Sequence, residues 1–261
     1  MTRPRSPTST VIGVLGELAV TLGVLVALFA VWQLWWTDVA ASATHARLAA
    51  EFSEVADYPP GQPAVVETSR AEQTAGAEQA TDAAPAPERQ DSPPRIGVPE
   101  QEGVFALLRV PRWGEEYVVP IAEGVGREAV LNRLGIGHYP GTAMPGELGN
   151  SAIAGHRQTY GRPFFAVDRL SPGDALVVES DSAWYVYRVS EKKIVQPSAV
   201  EVIAPVPGRP GAEPTQAVIT LTTCHPLYST RERFIVHGDF DHWVPKSDGY
   251  PAVLASSAGG G

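Results

Sequence analysis

Ala217-Val218-Ile219-Thr220-Leu221-Thr222-Thr223-Cys224, with Arg231-Glu232-Arg233-Phe234-Ile235-Val236-His237-Gly238 seven residues later, is the stretch from which this chain is read. The first run is almost purely β-forming, so it predicts a strand. His225-Pro226 ends it, because proline has no N–H to offer a ladder. A second strand starts around Phe234-Ile235-Val236. Cys224 therefore sits at a strand end, held rigidly near solvent, with Arg233 opening the returning strand. It is the single cysteine of the chain. A thiol is mostly protonated at neutral pH, so a reactive one needs an electropositive neighbour. Without such a neighbour, a lone cysteine reads as a small buried hydrophobe.

Working outward, short strands punctuated by Gly and Pro fill the region from Gly103 to about Phe240. Residues 104–111 and 116–121 read as strands around a Gly114 turn. Further strands are expected at 151–156, 175–180, 184–196, 216–223 and 233–240. Short helical pieces are expected at 127–134 and 162–170. This pattern predicts a mostly β fold, a closed barrel of about eight strands over 101–245. Residues 200–214 form a Pro/Gly-rich loop, expected as a wall of the site. A loose tail is expected over 246–261.

Toward the N-terminus, Leu18 to Trp36 carries no charge over 19 residues. As a helix that run is about 28 Å long, close to the thickness of a bilayer core. Trp32, Trp35 and Trp36 gather at its far end, where aromatic rings favour the interface. Arg3 and Arg5 before it and Asp38 after it predict a single-pass anchor over 11–37, with a cytoplasmic N-terminus (1–10) and the barrel outside. The competing reading is a cleaved signal peptide, since Ala41-Ser42-Ala43 is an A-x-A site; the length of the apolar run favours a retained anchor.

Between anchor and barrel, residues 38–100 read as a flexible acidic linker rich in Ala and Pro, with 40–57 suited to a short helix continuing from the membrane. Residues 51–102 hold eleven acidic and three basic side chains, nearly all of the net charge of −9. Such a composition buries too little apolar surface to offset its ordering entropy. The acidic balance also argues against a nucleic-acid partner.

Among six histidines, His156 stands out. The run Asn150-Ser151-Ala152-Ile153-Ala154-Gly155-His156-Arg157 and the cysteine motif Thr220-Leu221-Thr222-Thr223-Cys224 with Arg233 resemble the sortases, the cell-surface cysteine transpeptidases of Gram-positive bacteria. Gly135-Ile136-Gly137-His138-Tyr139-Pro140-Gly141-Thr142-Ala143-Met144-Pro145-Gly146-Glu147 looks like the class E sortases of high-GC Gram-positive bacteria. The resemblance covers about residues 102–243.

It implies Cys224 as nucleophile, His156 as acid/base and Arg233 as oxyanion partner, with Tyr139 and Thr223 contacting substrate. Tyr139 matches a tyrosine associated with preference for Leu-Ala-x-Thr-Gly over Leu-Pro-x-Thr-Gly sorting signals. The implied partners are secreted proteins with such a C-terminal signal and a peptidoglycan-precursor amine. No cofactor or metal is implied, and the Asp-Pro-aromatic lid of pilus sortases has no counterpart here. His138 is the main competitor of His156; His45 falls in the linker, His225 beside the cysteine, His237 in the last strand and His242 after it. Two other functions stay open: a cysteine peptidase that uses water as acceptor, and a non-catalytic membrane-tethered barrel that binds peptides.

Overall fold

The computed structural model describes residues 7–56 and 87–255. A long helix α1 (Pro7–Ala56) is followed by eight strands: β1 (Val104–Arg109), β2 (Val118–Glu123), β3 (Ile136–His138), β4 (Gly149–Gly155), β5 (Ala175–Glu179), β6 (Ala183–Val195), β7 (Ala217–His225) and β8 (Glu232–Pro245). They close into a barrel in the order β1-β2-β3-β4-β7-β8-β6-β5. The pairs β2/β3 and β4/β7 are parallel, and the other six are antiparallel. Closure leaves no free edge. The interior is filled from both halves: Leu108, Ile121, Ile136, Ile153, Leu176, Tyr187, Ile219, Leu221 and Val236 share one buried cluster.

The fold class is the expected one, and the strand missed by pattern is β3. It is three residues long and contains Gly137. A Cβ at Gly137 would stand 2.2 Å from the carbonyl oxygen of Gly124, so only glycine allows this strand its close approach.

The helical pieces are shorter than expected. A π-helical turn covers Arg127–Leu131 and a 3-10 turn covers Val167–Arg169. The last strand continues through His242, which is fully buried inside β8 rather than beyond it.

The flexible linker of 38–100 requires correction at both ends, and its middle, 57–86, lies outside the described residues. Residues 38–56 are the continuation of α1. Ala41, His45 and Ala49, spaced by four, form one buried face, and α1 packs on β1 and β2. Composition averaged over the segment hides this stripe of small residues. At the other end, 89–94 is strapped to the barrel. Arg89 and Trp243 exchange backbone hydrogen bonds of 2.9 Å, Trp243 Nε1 donates to Asp91 and Tyr185 Oη donates to the Pro94 carbonyl at 2.7 Å.

The expected loose tail is also anchored as far as it is described. A short helix α2 (Ala252–Ala255) presents Val253 and Leu254 to Val177, Val186 and Trp184.

The N-terminal half of α1 has no amphipathic character. Leu18, Leu22, Leu25 and Phe29 are all about 60% exposed, as are residues on the other faces, such as Val20 and Val31. A helix that is apolar all round yet packs on none of the described residues has the composition of a membrane span.

Candidate active site

One cleft of about 390 Å3 opens at the barrel end where β4 and β7 finish, and Tyr139, His156, Arg157, Thr223, Cys224 and Arg233 line it. Cys224 and Arg233 are direct partners in the β7/β8 ladder, followed by His225 opposite Glu232. The prolyl break and the loop 226–231 end the pairing there, leaving the Cys224 side chain partly exposed. Arg233 is held by its own loop: Nη1 donates to the carbonyls of Thr230 at 2.9 Å and Glu232 at 3.0 Å. Arg231 lies in the exposed loop.

His156 comes one residue after the end of β4. β4 is tied to β7 through the parallel register that ends at Ala154–Thr222, and Thr223 Oγ1 donates to the Gly155 carbonyl at 2.7 Å. The Thr223 hydroxyl thus joins the two strand ends. The imidazole is held by groups outside the sheet. His156 Nε2 donates to Asn132 Oδ1 at 2.7 Å, and Asn132 Nδ2 donates to Glu128 Oε2 at 3.0 Å, which orients the amide. Nδ1 is left as the nitrogen that can exchange a proton. Tyr160 packs on the ring at 5.3 Å between centroids. Burial lowers the His156 pKa below its ordinary value, the Arg127 charge lowers it further and Glu128 opposes them.

Arg157 is almost fully buried. Its Nη1 donates to His225 Nδ1 at 2.8 Å, its Nη2 reaches Asp168 at 3.2 Å, and its guanidinium lies over Phe234. The residue after His156 is thereby bound to the residue after Cys224. On the cleft wall, Tyr139 Oη and Thr222 Oγ1 are 3.0 Å apart.

The competing histidines have other partners. His138 is buried between Glu123 Oε2, at 2.7 Å from Nδ1, and the Ala143 carbonyl, at 3.0 Å from Nε2. His237 Nδ1 is 2.8 Å from Thr220 Oγ1, whose own proton goes to Asn150 Oδ1 at 2.6 Å, so Nδ1 donates; burial lowers its pKa to about 4. Neither lines the cleft. The loop 200–214 does not line it either: Asn150 Nδ2 binds the carbonyls of Val202 and Ala204, fixing that loop elsewhere on the barrel.

Sequence pattern brought Cys224, His156, Arg233, Tyr139 and Thr223 to this cleft but missed Asn132 and Tyr160. Both come from loops and bear no motif. Arg157, directly after the histidine, was visible in the sequence but carried no sign of its reach to His225.

A family model for the sortase domain matches residues 108–241. The chain belongs to the sortase family. It is 36% identical to sortase SrtE1 of Streptomyces coelicolor over 97% of its own length, and it spans 64% of that relative. Sortase SrtE2 of the same organism is 29% identical over 91% of this chain and 85% of its own. Among solved structures, the SrtA sortase of Actinomyces oris superimposes with TM-score 0.61 at 42% identity, covering 64% of this chain and 96% of the other. Sortase E1 of S. coelicolor, solved with a tripeptide in its active site, gives 0.55 at 41% identity, covering 59% and 97%. The matched residues run from within β1 to within β8, whereas α1 precedes them.

Proposed function

We propose that this sortase is a membrane-anchored cysteine transpeptidase that cuts a C-terminal sorting signal between Thr and Gly and passes the new acyl end to a cell-wall precursor amine. The observation that carries the reading is the cross-strand pair Cys224–Arg233 sharing one cleft with His156. The Cys224 thiolate attacks the threonine carbonyl carbon. The carbonyl electrons move to oxygen, where the Arg233 guanidinium donates hydrogen bonds to the developing charge. The tetrahedral species collapses, the C–N bond to glycine breaks, and protonated His156 gives its proton to the leaving amine. The acceptor amine then attacks the thioester, His156 takes its proton, and the Cys224 thiolate departs.

Two protonic groups, His156 and Arg233, around one thiol suit this two-step transfer. Tyr139 on the wall suits contact with the signal peptide, while the Thr223 hydroxyl, bound to Gly155, acts by holding the strand ends. The uncharged half of α1 supplies the anchor, with the barrel outside the membrane, as Arg3 and Arg5 before it favour.

The test uses the full chain in detergent with Leu-Ala-x-Thr-Gly and Leu-Pro-x-Thr-Gly peptides and an added amine, the products being weighed. A ligated product, preferentially from the Leu-Ala-x-Thr-Gly peptide, is expected. Cleavage to the free acid that no amine diverts would mean a peptidase instead. Absence of any acyl product on Cys224 would leave only a binding barrel.

A further inference from the structure

We infer that the docked half of α1 belongs to the reaction apparatus: Asp38, Ala41 and His45 brace the loop after β4, and through it hold His156, so that His45 is a positioning residue, while Ala49 is buried on the same helix face. The inference rests on the assignment of His156 made above.

Three sets of contacts converge on it. First, the His45 ring fills a slot made by two glycines. A Cβ on Gly161 would stand 2.8 Å from its Cε1, and a Cβ on Gly135 would stand 3.3 Å from its Nε2. Both glycines have positive φ, so larger residues are disfavoured there on backbone grounds as well. His45 Nε2 is buried without a hydrogen-bond partner, so the ring serves here as a shaped wedge.

Second, Asp38 grips the same loop two turns of helix earlier. The Gly161 N–H donates to Asp38 Oδ1 at 3.3 Å, and Arg162 Nε lies 3.6 Å from Oδ2. An ion pair as exposed as Asp38–Arg162 is worth little, so the wedge and the buried alanines carry the docking.

Third, the two groups that hold the His156 ring share a crevice with the helix. Asn132 and Tyr160 line one crevice with Trp36, Ala40, Ala41 and Thr44 of α1. Across from that crevice, Asn132 binds His156 Nε2 and Tyr160 packs on the ring. The chain of contact is therefore short. α1 touches Gly161, five residues after His156, and shares the crevice with Tyr160, four residues after it. None of the bracing side chains falls within the residues matched by the sortase domain.

This arrangement gives a reason for the packing of a helical segment read as part of a tether. It also means that a barrel cut free of α1 would keep its cysteine side and lose a support of its histidine side.

The experiment uses the full chain in detergent micelles. His45→Ala empties the slot, Ala49→Arg pries the helix off, and Ala46→Arg places the same charge on the exposed face. Transfer of a sorting peptide to an added amine gives kcat and KM, and iodoacetamide labelling reads the single thiol. The expected result for His45→Ala and Ala49→Arg is a kcat at least about tenfold lower, because a 1 Å misplacement can cost ~10²-fold. KM should stay within about twofold and thiol labelling should be unchanged.

The pH–kcat limb that depends on His156 should also move upward, toward the ordinary histidine value, as burial is relieved; the charges facing the ring, Arg127 and Glu128, are untouched. Ala46→Arg should match wild type. Wild-type kcat and pH limb in both docking variants would overturn the inference. So would losses that merely follow a lowered barrel melting point and altered labelling. If Ala49→Arg does not fold, His45→Ala decides by the same criteria. His156→Ala in the same assay separates the two claims. If it is active, the functional reading fails; if it is inactive while the docking variants behave as wild type, the α1 inference alone fails.

Discussion

The two halves of the cleft are built differently. Cys224 and Arg233 are opposite each other in an antiparallel ladder, so backbone register sets their spacing. His156 stands just beyond a strand end and is placed by an asparagine, a tyrosine and the two loops that carry them. A ladder position moves only when the barrel does, whereas a position held by side chains moves when any one neighbour changes. Substitutions near the histidine should therefore be graded in effect, and those on the ladder should be all-or-none in chemistry and mild in stability.

The most severe test is Cys224→Ala. It should abolish transfer and remove the peptide adduct seen by mass spectrometry during turnover, with the thermal transition nearly unchanged; residual turnover would remove the nucleophile from the ladder half. Next comes Arg233→Lys. A lysine ammonium keeps the charge but not the planar fork, and the loss of one oxyanion donor costs on the order of 10²–10³ in rate. We expect kcat/KM to fall at least about a hundredfold on that scale with wild-type folding, and a few-fold loss would mean the guanidinium is not at the oxyanion.

Asn132→Ala probes the other half. It removes the acceptor of Nε2 but leaves Tyr160, so about a tenfold loss in kcat is expected, well short of the Arg233 effect. A loss equal to that of His156→Ala would make the amide as rigid a determinant as the ladder and erase the contrast. The smallest effect should come from Arg231→Lys. Arg231 lies two residues before Arg233 but in the exposed loop, and its rate should stay within a few-fold of wild type.

The same contrast explains what the sequence made legible. Strands announce themselves by composition, so β7 and β8, and with them Cys224 and Arg233, are read directly from the alternation of apolar and polar residues. His156 is legible because it ends a strand. Asn132 is not, because its importance comes from a contact 24 residues away that no local pattern encodes. β3 escaped because a three-residue strand with a central glycine looks like a turn. The helix over 38–56 was legible, but its docking on the barrel was not, for a different reason. Alanine and glutamate in an acidic setting match both a solvated helix and a docked one, and only the stripe Ala41, His45 and Ala49 separates the two. At 89–94 the signal lay in distant acceptors and donors, Trp243 and Tyr185, rather than in the segment itself.

The unbroken run of α1 from apolar segment to barrel has a geometrical consequence for the proteins this sortase handles. Under the proposed anchoring, with Trp36 at the lipid interface, His45 would lie nine residues further along the helix, about 14 Å above it at 1.5 Å per residue. A stiff post of that height, clamped to the loop beside His156, fixes the altitude of the reaction and removes the freedom to search outward. Under the proposed anchoring, a peptide substrate would have to come down to the enzyme at that height. A freely diffusing polypeptide would have to find a narrow shell close to the headgroups, and lengthening the post by whole helical turns should shift which spacer lengths are accepted.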